Sequence, residues 1–284
     1  MPSPDFRRAF LWACALDVQA RKPGNVSLAS AGHGMQAELF IASAEAAASP
    51  LCAPGLAVGE RIELAMQSTL AAAHCNTNLG ILLLCAPLAV ACEAWSREQG
   101  LPALRQRLEE VLQGLDQVDA RAAYRAIAAA QPGGLGDAAQ QDVRTEPTIG
   151  LREAMTLAAD RDRIAFQYAH AHVDIFELGL PAFTAQAQAM GAGSTAAMQG
   201  AFIEFLAAFP DSHIVRKHGA AAAHSVMAEA QPWRERARAG QMLDADPAFA
   251  AWDASLKARA INPGTSADLC VATALLAALS SGMF

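Results

Sequence analysis

The segment CNTNLGILLLCAPLAVAC, residues 75–92, shows what class of fold to expect. From Ile81 to Cys92 every side chain is apolar, so the segment has no polar face to turn toward water. A helix that is apolar all round is either buried in a protein core or spans a membrane. This run contains Pro87 and falls short of the about 18 to 20 apolar residues that a membrane span needs. We therefore predict a buried core helix over residues 78–98.

Helical character extends over the rest of the chain. Of its 284 residues 53% are hydrophobic and 17% are charged, which is a globular composition. Alanine is abundant and β-branched residues are sparse, which favours helices because alanine loses no side-chain entropy. The sequence has no alternating strand pattern and no repeat of fixed period. We predict an all-α protein, a single-domain multi-helix bundle over residues 1–284, with helices at residues 5–20, 36–49, 56–73, 78–98, 101–113, 116–130, 150–178, 181–191, 195–208, 212–230, 232–240, 246–260 and 264–281.

Charge and composition also limit the partners. The formal net charge of −7 and the pI near 5.5 argue against non-specific nucleic-acid binding. Because the sequence lacks a long uninterrupted apolar run and a typical signal peptide, we predict a cytoplasmic protein that does not enter a membrane. The six cysteines form no CxxC pair and are expected to be buried thiols. The expected partners are small phosphorylated molecules, and the alanine-rich helices are consistent with a homodimer.

Four polar segments are found where predicted loops meet helices. They are KPGNVS at 22–27 with His33 after it, NTNLG at 76–80, DSHIVRKHG at 211–219 and NPGTSAD at 262–268. Each has a plain structural interpretation. Asn76 or Thr77 could cap the helix that follows, because a side-chain oxygen accepts from an unpaired N–H group there. Thr265 and Asp268 have the spacing of a capping box.

Taken together, the same segments favour a binding site for a phosphorylated molecule. Helix N-termini with glycine and small hydroxyl side chains present N–H groups suited to phosphate oxygens. Arg216 and Lys217 would supply positive charge, although a basic pair is also typical of a solvated helix face. Asp268, at the start of an apolar helix, would be costly to bury without a partner or ligand. No Walker-type or GxGxxG motif is present, so the pattern predicts a helical protein with a polar, partly cationic cleft.

The loop at residues 131–147 is the least helical part of the chain. Loops of this length within a compact domain are often functional. With its glycines, Asp137 and Asp142, the loop is predicted to be either a lid with glycine hinges or a plain linker.

Motifs along nearly the whole chain resemble those of the triphosphoribosyl-dephospho-CoA synthase family. In order, they are KPG at 22–24, His33 with Met35, Asn76-Thr77 with Gly80, PGGLG at 132–136 and PGTSADL at 263–269. The resemblance implies a transferase that uses ATP as substrate. It would join C1 of the ribose, with the triphosphate retained, to a hydroxyl of dephospho-CoA and release adenine. Mg²⁺ is expected with the polyphosphate.

On that resemblance, the site residues have two kinds of role. Asp268 would face the ribosyl cation or hold the metal, and His33 or His218 would serve as catalytic acid or base. The predicted substrate-binding residues are Lys22, Arg216 and Lys217 for phosphates, Asn76, Thr77 and Asn78 for ribose or base, and Asn25, Ser27 and Ser266. The metal ligands are left open.

Two motifs depart from the enzymes that serve citrate lyase and malonate decarboxylase. Those enzymes have Asn-Thr-His-Lys-Gly where this chain has Asn-Thr-Asn-Leu-Gly at 76–80, and Leu-Val-Asp where it has Asn-Val-Ser at 25–27. The chain is similar to a separate branch linked to one-carbon metabolism with tetrahydromethanopterin. One alternative is therefore phosphoribosyl transfer from phosphoribosyl pyrophosphate to a pterin precursor. Two others are a non-catalytic coenzyme-binding protein and a helical interaction scaffold.

Overall fold

The structure of the protein is a computed structural model that describes residues 4–133, 136, 138 and 140–284. Within these residues no β-strand is found, and the prediction of an all-α fold is confirmed. The α-helices are α1 (Pro4–Gln19), α2 (Ala37–Leu51), α3 (Val58–Ala73), α4 (Leu79–Cys92), α5 (Gly100–Gln113), α6 (Gln117–Ala130), α7 (Leu151–Thr156), α8 (Arg163–Ala169), α9 (Leu180–Met190), α10 (Thr195–Ala208), α11 (Ser212–His218), α12 (Ala220–Arg238), α13 (Pro247–Ala258) and α14 (Gly264–Ser281).

The prediction of one helix over residues 150–178 is wrong. Asp162 starts α8 by accepting hydrogen bonds from the backbone N–H groups of the next turn. Ala171 and His172 then take positive φ angles, which a continuous α-helix does not allow. A short π-helical segment, Ile175–Gly179, leads into α9. These breaks depend on local caps and backbone angles that an apolar periodicity does not report.

The helix boundaries predicted at 212–230 and 232–240 are also wrong. Gly219 has a φ of 84°, where a residue with a Cβ would be strained, and it separates α11 from α12. α12 instead continues through Pro232, which the sequence had suggested as a break. Likewise, the helix predicted over 78–98 ends at Cys92 and is followed by a 3₁₀ turn at Arg97–Gln99.

The chain divides into two compact units. Unit 1 contains Met1–Leu11, Ala42–His172 and Ala278–Phe284, and unit 2 contains Trp12–Ile41 and Val173–Ala277. Both units therefore combine segments that lie far apart in the sequence. The single-domain assignment stays a prediction.

In unit 1, α4 is buried nearly all round, as its composition predicted. Pro87 within it has no N–H group, so the helical hydrogen bond to the Leu83 carbonyl cannot form. The Tyr168 hydroxyl donates to that carbonyl at 2.7 Å. The next carbonyl, of Leu84, accepts from Nε2 of His172 at 3.1 Å. Burial lowers the pKa of His172 to about 4, so this imidazole is neutral at ordinary pH.

Helix α3 is held in unit 1 by a close backbone approach and a buried guanidinium. The N–H of Gly59 donates to the Asp119 carboxylate at 2.7 Å, and a Cβ at Gly59 would lie 2.5 Å from the Asp119 carbonyl oxygen. Arg61 is fully buried, donates to the Leu51 carbonyl and pairs with Glu93. A buried charge is tolerated only with such partners.

In unit 2, one buried carboxylate caps the starts of two helices. Asp211 Oδ1 accepts from the backbone N–H groups of His213 and Ile214, which open α11. Asp211 Oδ2 accepts from the N–H and the hydroxyl of Ser266, in the first turn of α14, both at 2.8 Å. Burial raises the pKa of Asp211, and its hydrogen bonds with Ser266 act in the opposite direction. Asp211 thus fixes the position of α11 against α14.

Helix α14 is long and apolar enough to cross a membrane by length and composition, but 72% of its most apolar window is buried inside the protein. Core helices of soluble proteins pass the same test. The absence of a membrane segment therefore stays a prediction.

Replacing Tyr168 with phenylalanine is expected to lower the free energy of unfolding by about 1–3 kcal/mol, because the buried Leu83 carbonyl loses its donor. The other tyrosine, Tyr124, is a matched control: its hydroxyl donates to the partly exposed Gln141 carbonyl, which water can solvate instead. Urea unfolding of Tyr168→Phe and Tyr124→Phe measures the difference. Equal losses for the two variants would contradict this account of Pro87.

Replacing Asp211 with asparagine is expected to lower the free energy of unfolding by about 2–4 kcal/mol. An amide oxygen can still cap α11, but the amide NH₂ would then meet the Ser266 donors. Asp116→Asn is the control, since exposed Asp116 caps only α6 and asparagine is an equally good cap. Thermal and urea unfolding of both variants test this, and an Asp211→Asn protein as stable as the control would refute the two-helix role.

Candidate functional site

Three of the four polar segments meet in unit 2. The Asn25 amide donates to the Asn262 side-chain oxygen at 2.8 Å, which joins the first segment to the fourth. The N–H of Gly24 donates to Asp253 at 2.9 Å. With φ +83°, Gly24 lies so close to the chain at Ile261 that a Cβ would come 2.7 Å from that carbonyl oxygen. A glycine is required here, because both the backbone angle and the space exclude a side chain.

Lys22 was predicted to bind phosphate, but in the structure its ammonium group already has a partner within the protein. Its side chain is fully buried, and its ammonium group lies 3.2 Å from the Asp17 carboxylate and 2.6 Å from the Asp17 carbonyl oxygen. Burial raises the pKa of Asp17, and Lys22 opposes that shift. A phosphate could bind Lys22 only by replacing this internal partner. Its contacts therefore support a structural role, the neutralisation of Asp17.

A second buried ion pair was missed by the sequence analysis. The Lys257 ammonium contacts Asp253 at 3.0 Å and donates to the Ser30 carbonyl at 2.8 Å, so it fixes the loop that follows KPGN. Burial lowers the pKa of Lys257, and the Asp253 partner acts against that shift. The i,i+4 spacing of Asp253 and Lys257 on α13 was the one signal that could have shown the pair. Near it, Ser27 is buried and its hydroxyl has no partner among the described residues.

The start of α14 is less open than the sequence suggested. Ser266 gives both its N–H and its hydroxyl to Asp211. The N–H groups of Gly264 and Ala267 donate to the carbonyls of Asn262 and Pro263. The anion at this helix N-terminus is therefore the protein's own carboxylate, not a ligand. Both donors of Ser266 are thus bound to Asp211, and its substrate-binding role stays a prediction.

A cationic cluster forms where α11 meets the start of α14. The His213 ring packs directly against Gly264, since a Cβ there would come 2.4 Å from Nδ1. Burial lowers the pKa of His213 to about 3. Smaller contributions in the same direction come from Lys217, Arg216, His33 and His218. His213 is therefore a neutral imidazole beside several cationic groups. We call these five residues the unit 2 cationic cluster.

The two histidines predicted to be catalytic both belong to this cluster. Nε2 of His33 lies 2.7 Å from the Gly24 carbonyl, and Nε2 of His218 lies 3.0 Å from the Ala260 carbonyl. A carbonyl oxygen only accepts, so each Nε2 must carry the proton that it donates. Asp268 is partly exposed, one turn into α14. Through their interactions with His213, His33 and His218 are grouped with the predicted phosphate ligands Arg216 and Lys217.

The NTNLG segment belongs to unit 1, at the start of α4. Asn76 Oδ1 accepts from the N–H of Leu79 at 3.1 Å, so Asn76 is the helix cap that the sequence suggested. The Thr77 hydroxyl donates to Ser43 at 2.7 Å. The Thr69 hydroxyl donates to Asn78 Oδ1 at 3.0 Å, while Nδ2 of the buried Asn78 has no partner within the described residues. Of the three, Asn78 is the residue whose side-chain donor is both buried and unpartnered in the described structure.

The loop at 131–147 is only partly described. Asp137 lies outside the described residues. Hydrogen bonds from Arg144, and then from the Ala138 N–H, lower the pKa of Asp142 below its usual range. The Asp142 carboxylate therefore organises the loop itself, and the lid stays a prediction.

A resident metal site is not evident in the part of the chain that the structure describes. There, no group of three or more histidine, cysteine, aspartate or glutamate side chains is arranged to hold a metal ion. Mg²⁺ bound through a polyphosphate needs only one or two protein carboxylates. Asp268 would fit that requirement, and the metal stays a prediction.

Comparisons with known proteins agree with the motifs. The sequence model of the ATP:dephospho-CoA triphosphoribosyl transferase family matches residues 4–283. A crystal structure of a proposed triphosphoribosyl-dephospho-CoA synthase from Archaeoglobus fulgidus shares the fold, with a TM-score of 0.64 and 20% sequence identity over 85% of this chain and 99% of that one. No curated protein matches the chain. The chain therefore belongs to the ATP:dephospho-CoA triphosphoribosyl transferase family, a family of transferases whose substrate is ATP.

Proposed function

We propose that this protein transfers the triphosphoribosyl group of ATP to a hydroxyl of dephospho-CoA or a related coenzyme precursor, with release of adenine. The observation that carries the proposal is the unit 2 cationic cluster, in which the KPGN loop, α11 and the start of α14 meet. Family membership supplies the reaction type. The acceptor and the role of each residue are the proposed part.

The cluster suits a polyphosphate electrostatically. The chain as a whole carries a formal net charge of −7, so a local group of cations is needed to attract a highly charged anion. Lys217 is exposed, and Arg216 is partly exposed on the same turn of α11. Arginine can bind phosphate through two parallel hydrogen bonds, and lysine adds a compact charge. The two side chains are therefore proposed to hold the triphosphate.

The chemistry follows from the bond that breaks. When the bond from C1 of the ribose to the adenine nitrogen breaks, its electron pair goes to adenine and positive charge develops on the ribose. The acceptor oxygen then bonds to C1 and loses its proton. A carboxylate stabilises such a cation, and we assign this role to Asp268. His33 or His218 would take the acceptor's proton or protonate adenine, through the Nδ1 atom that is not bonded to a backbone carbonyl.

The experiment that tests the proposal is an adenine-release assay with ATP, dephospho-CoA and Mg²⁺. Lys217→Ala and Arg216→Ala are each expected to lower kcat/KM by about 10- to 100-fold, since a hydrogen bond to a charged group is worth about 1.5–3 kcal/mol. Arg125→Ala is the control, because Arg125 is an exposed arginine of unit 1 that pairs with Glu63. Losses of the same size in the control would contradict a specific role for the cluster.

The same assay separates the alternatives. Product formed only from phosphoribosyl pyrophosphate and a pterin precursor would replace the proposed donor and acceptor. Binding of ATP without adenine release would favour a non-catalytic coenzyme-binding protein. Asn78 and Leu79 stand where the enzymes that serve citrate lyase and malonate decarboxylase have His and Lys. This difference favours the alternative with phosphoribosyl pyrophosphate and a pterin precursor.

Asn78 gives a second prediction. Asn78→Leu keeps the branched shape and the number of heavy atoms but removes the unpartnered amide donor, and the Thr69 hydroxyl can turn to a carbonyl of its own helix. We expect kcat/KM to fall about tenfold, the loss of one hydrogen bond of about 1.4 kcal/mol. Thr69→Val, which removes only the group that orients the amide, should have a smaller effect. An unchanged kcat/KM in Asn78→Leu would rule out substrate contact by this residue.

The cytoplasmic location, the homodimer and Mg²⁺ also remain proposals. Gel filtration with light scattering tests the homodimer, and the metal dependence of adenine release tests Mg²⁺.

A further inference from the structure

His213 is a titratable residue that the sequence did not single out for catalysis or binding. It lies on α11 between Asp211, which caps the helix, and Arg216. Its ring packs against Gly264 of the NPGTSAD segment, which fixes one face of the imidazole. The Nε2 atom is buried and has no hydrogen-bond partner within the described residues. A buried nitrogen without a partner is costly, so this atom calls for an explanation.

Burial and the charges around His213 together explain why it is neutral. The charged groups that act on it are Lys217, Arg216 and His218 from α11 and His33 from the loop before α2, and each of them lowers its pKa. The nearby carboxylate, Asp211, already accepts four hydrogen bonds from two helix starts. Asp211 also attracts Arg216 electrostatically. A proton on His213 would add one more positive charge to a partly buried site that already holds cations.

We propose that His213 is a phosphate-binding residue that takes up a proton from solvent when a polyphosphate enters the unit 2 cationic cluster, and that its Nε2–H then donates to a phosphate oxygen. The inference rests on the proposed function, because it requires that the cluster binds the triphosphate. No covalent bond of the substrate changes in this step. A phosphate anion offsets the repelling cations and supplies the acceptor that Nε2 lacks.

Access to Nε2 requires a small rearrangement. The atom is covered in the structure, so the imidazole or a side chain that covers it has to rotate. Rotations of exposed side chains take place in picoseconds to nanoseconds and need no backbone motion. His213 precedes Arg216 and Lys217 by three and four positions on α11, so the three side chains lie on the same face of the helix.

Proton uptake gives the site a definite pH dependence. Without ligand the pKa of His213 is about 3, and bound phosphate moves it up toward the ordinary histidine value near 6.5. A group whose pKa rises on binding strengthens binding as the pH falls toward the pKa of the complex. Above that pKa the imidazole is neutral in both states and adds no pH dependence.

The direct test is NMR of the wild-type protein with inorganic tripolyphosphate as the probe. The histidine ring signals are followed between about pH 5 and pH 8, and the His213 signal is identified by its absence in His213→Gln. We expect no titration of His213 over this range in the free protein and a titration within this range in the complex. A His213 signal that stays neutral while tripolyphosphate is bound overturns the inference.

Affinity measurements give an independent test. His213→Gln should bind tripolyphosphate about tenfold more weakly than wild type near pH 6 and about equally near pH 8. His224→Gln, an exposed histidine on α12 bonded to a backbone carbonyl, is the control and should follow wild type at both values. A loss in His213→Gln that is equal at both pH values would mean a structural role and would overturn the inference. His213→Asn repeats the test if the glutamine variant is unstable.

The outcomes separate the inference from the proposed function. If wild type binds tripolyphosphate and releases adenine normally but His213 is not protonated, only the inference is overturned. Failure of wild type to bind tripolyphosphate overturns the inference, and the adenine-release assay then shows whether the proposed function falls with it.

Discussion

A single buried carboxylate organises the region that we assign to substrate binding. Asp211 accepts two hydrogen bonds from the start of α11 and two from Ser266 in α14. Removing a carboxylate from water is costly, and only this full set of donors compensates for its burial. The geometry of those donors fixes where α11 and α14 begin. The placement of His213 against Gly264, and of the basic residues that follow on α11, depends on it.

Burial divides the charged residues of unit 2 into two groups with different roles. Lys22 with Asp17, and Lys257 with Asp253, are paired inside the protein and hold the loop from residue 20 to 33 in place. Arg216 and Lys217 lie nearer the surface, in the same unit, beside a neutral imidazole. A buried cation that already has a carboxylate gains little from an additional anion. The accessible cations therefore carry the proposal for polyphosphate binding.

In unit 1, a proline within an apolar helix leaves a backbone carbonyl that needs a donor from another part of the chain. Pro87 removes one backbone donor from α4, and the Tyr168 hydroxyl replaces it at the Leu83 carbonyl. Nearby, Asn76 caps the same helix and Thr77 and Asn78 bond to neighbouring hydroxyls. The amide donor of Asn78 differs from that of Asn76 because it is buried and has no partner in the described structure, which gives the motif its remaining functional interest.

By itself the sequence determined the all-α class, the buried helix α4 and the family, because composition, apolar patterning and the order of motifs are local properties of the chain. It also found three of the segments that meet in unit 2. Only the tertiary structure decided which polar side chains have hydrogen-bond partners within the protein. Lys22 and Ser266 have such partners. His213 has a buried ring nitrogen without a partner in the described structure and lies beside cationic side chains. The breaks within residues 150–178 and at Gly219 likewise depend on caps and positive φ angles. The physical reason is that hydrogen-bond partners and burial are set by residues distant in sequence, such as Asp211 and Ser266, and spacing along the chain does not encode them.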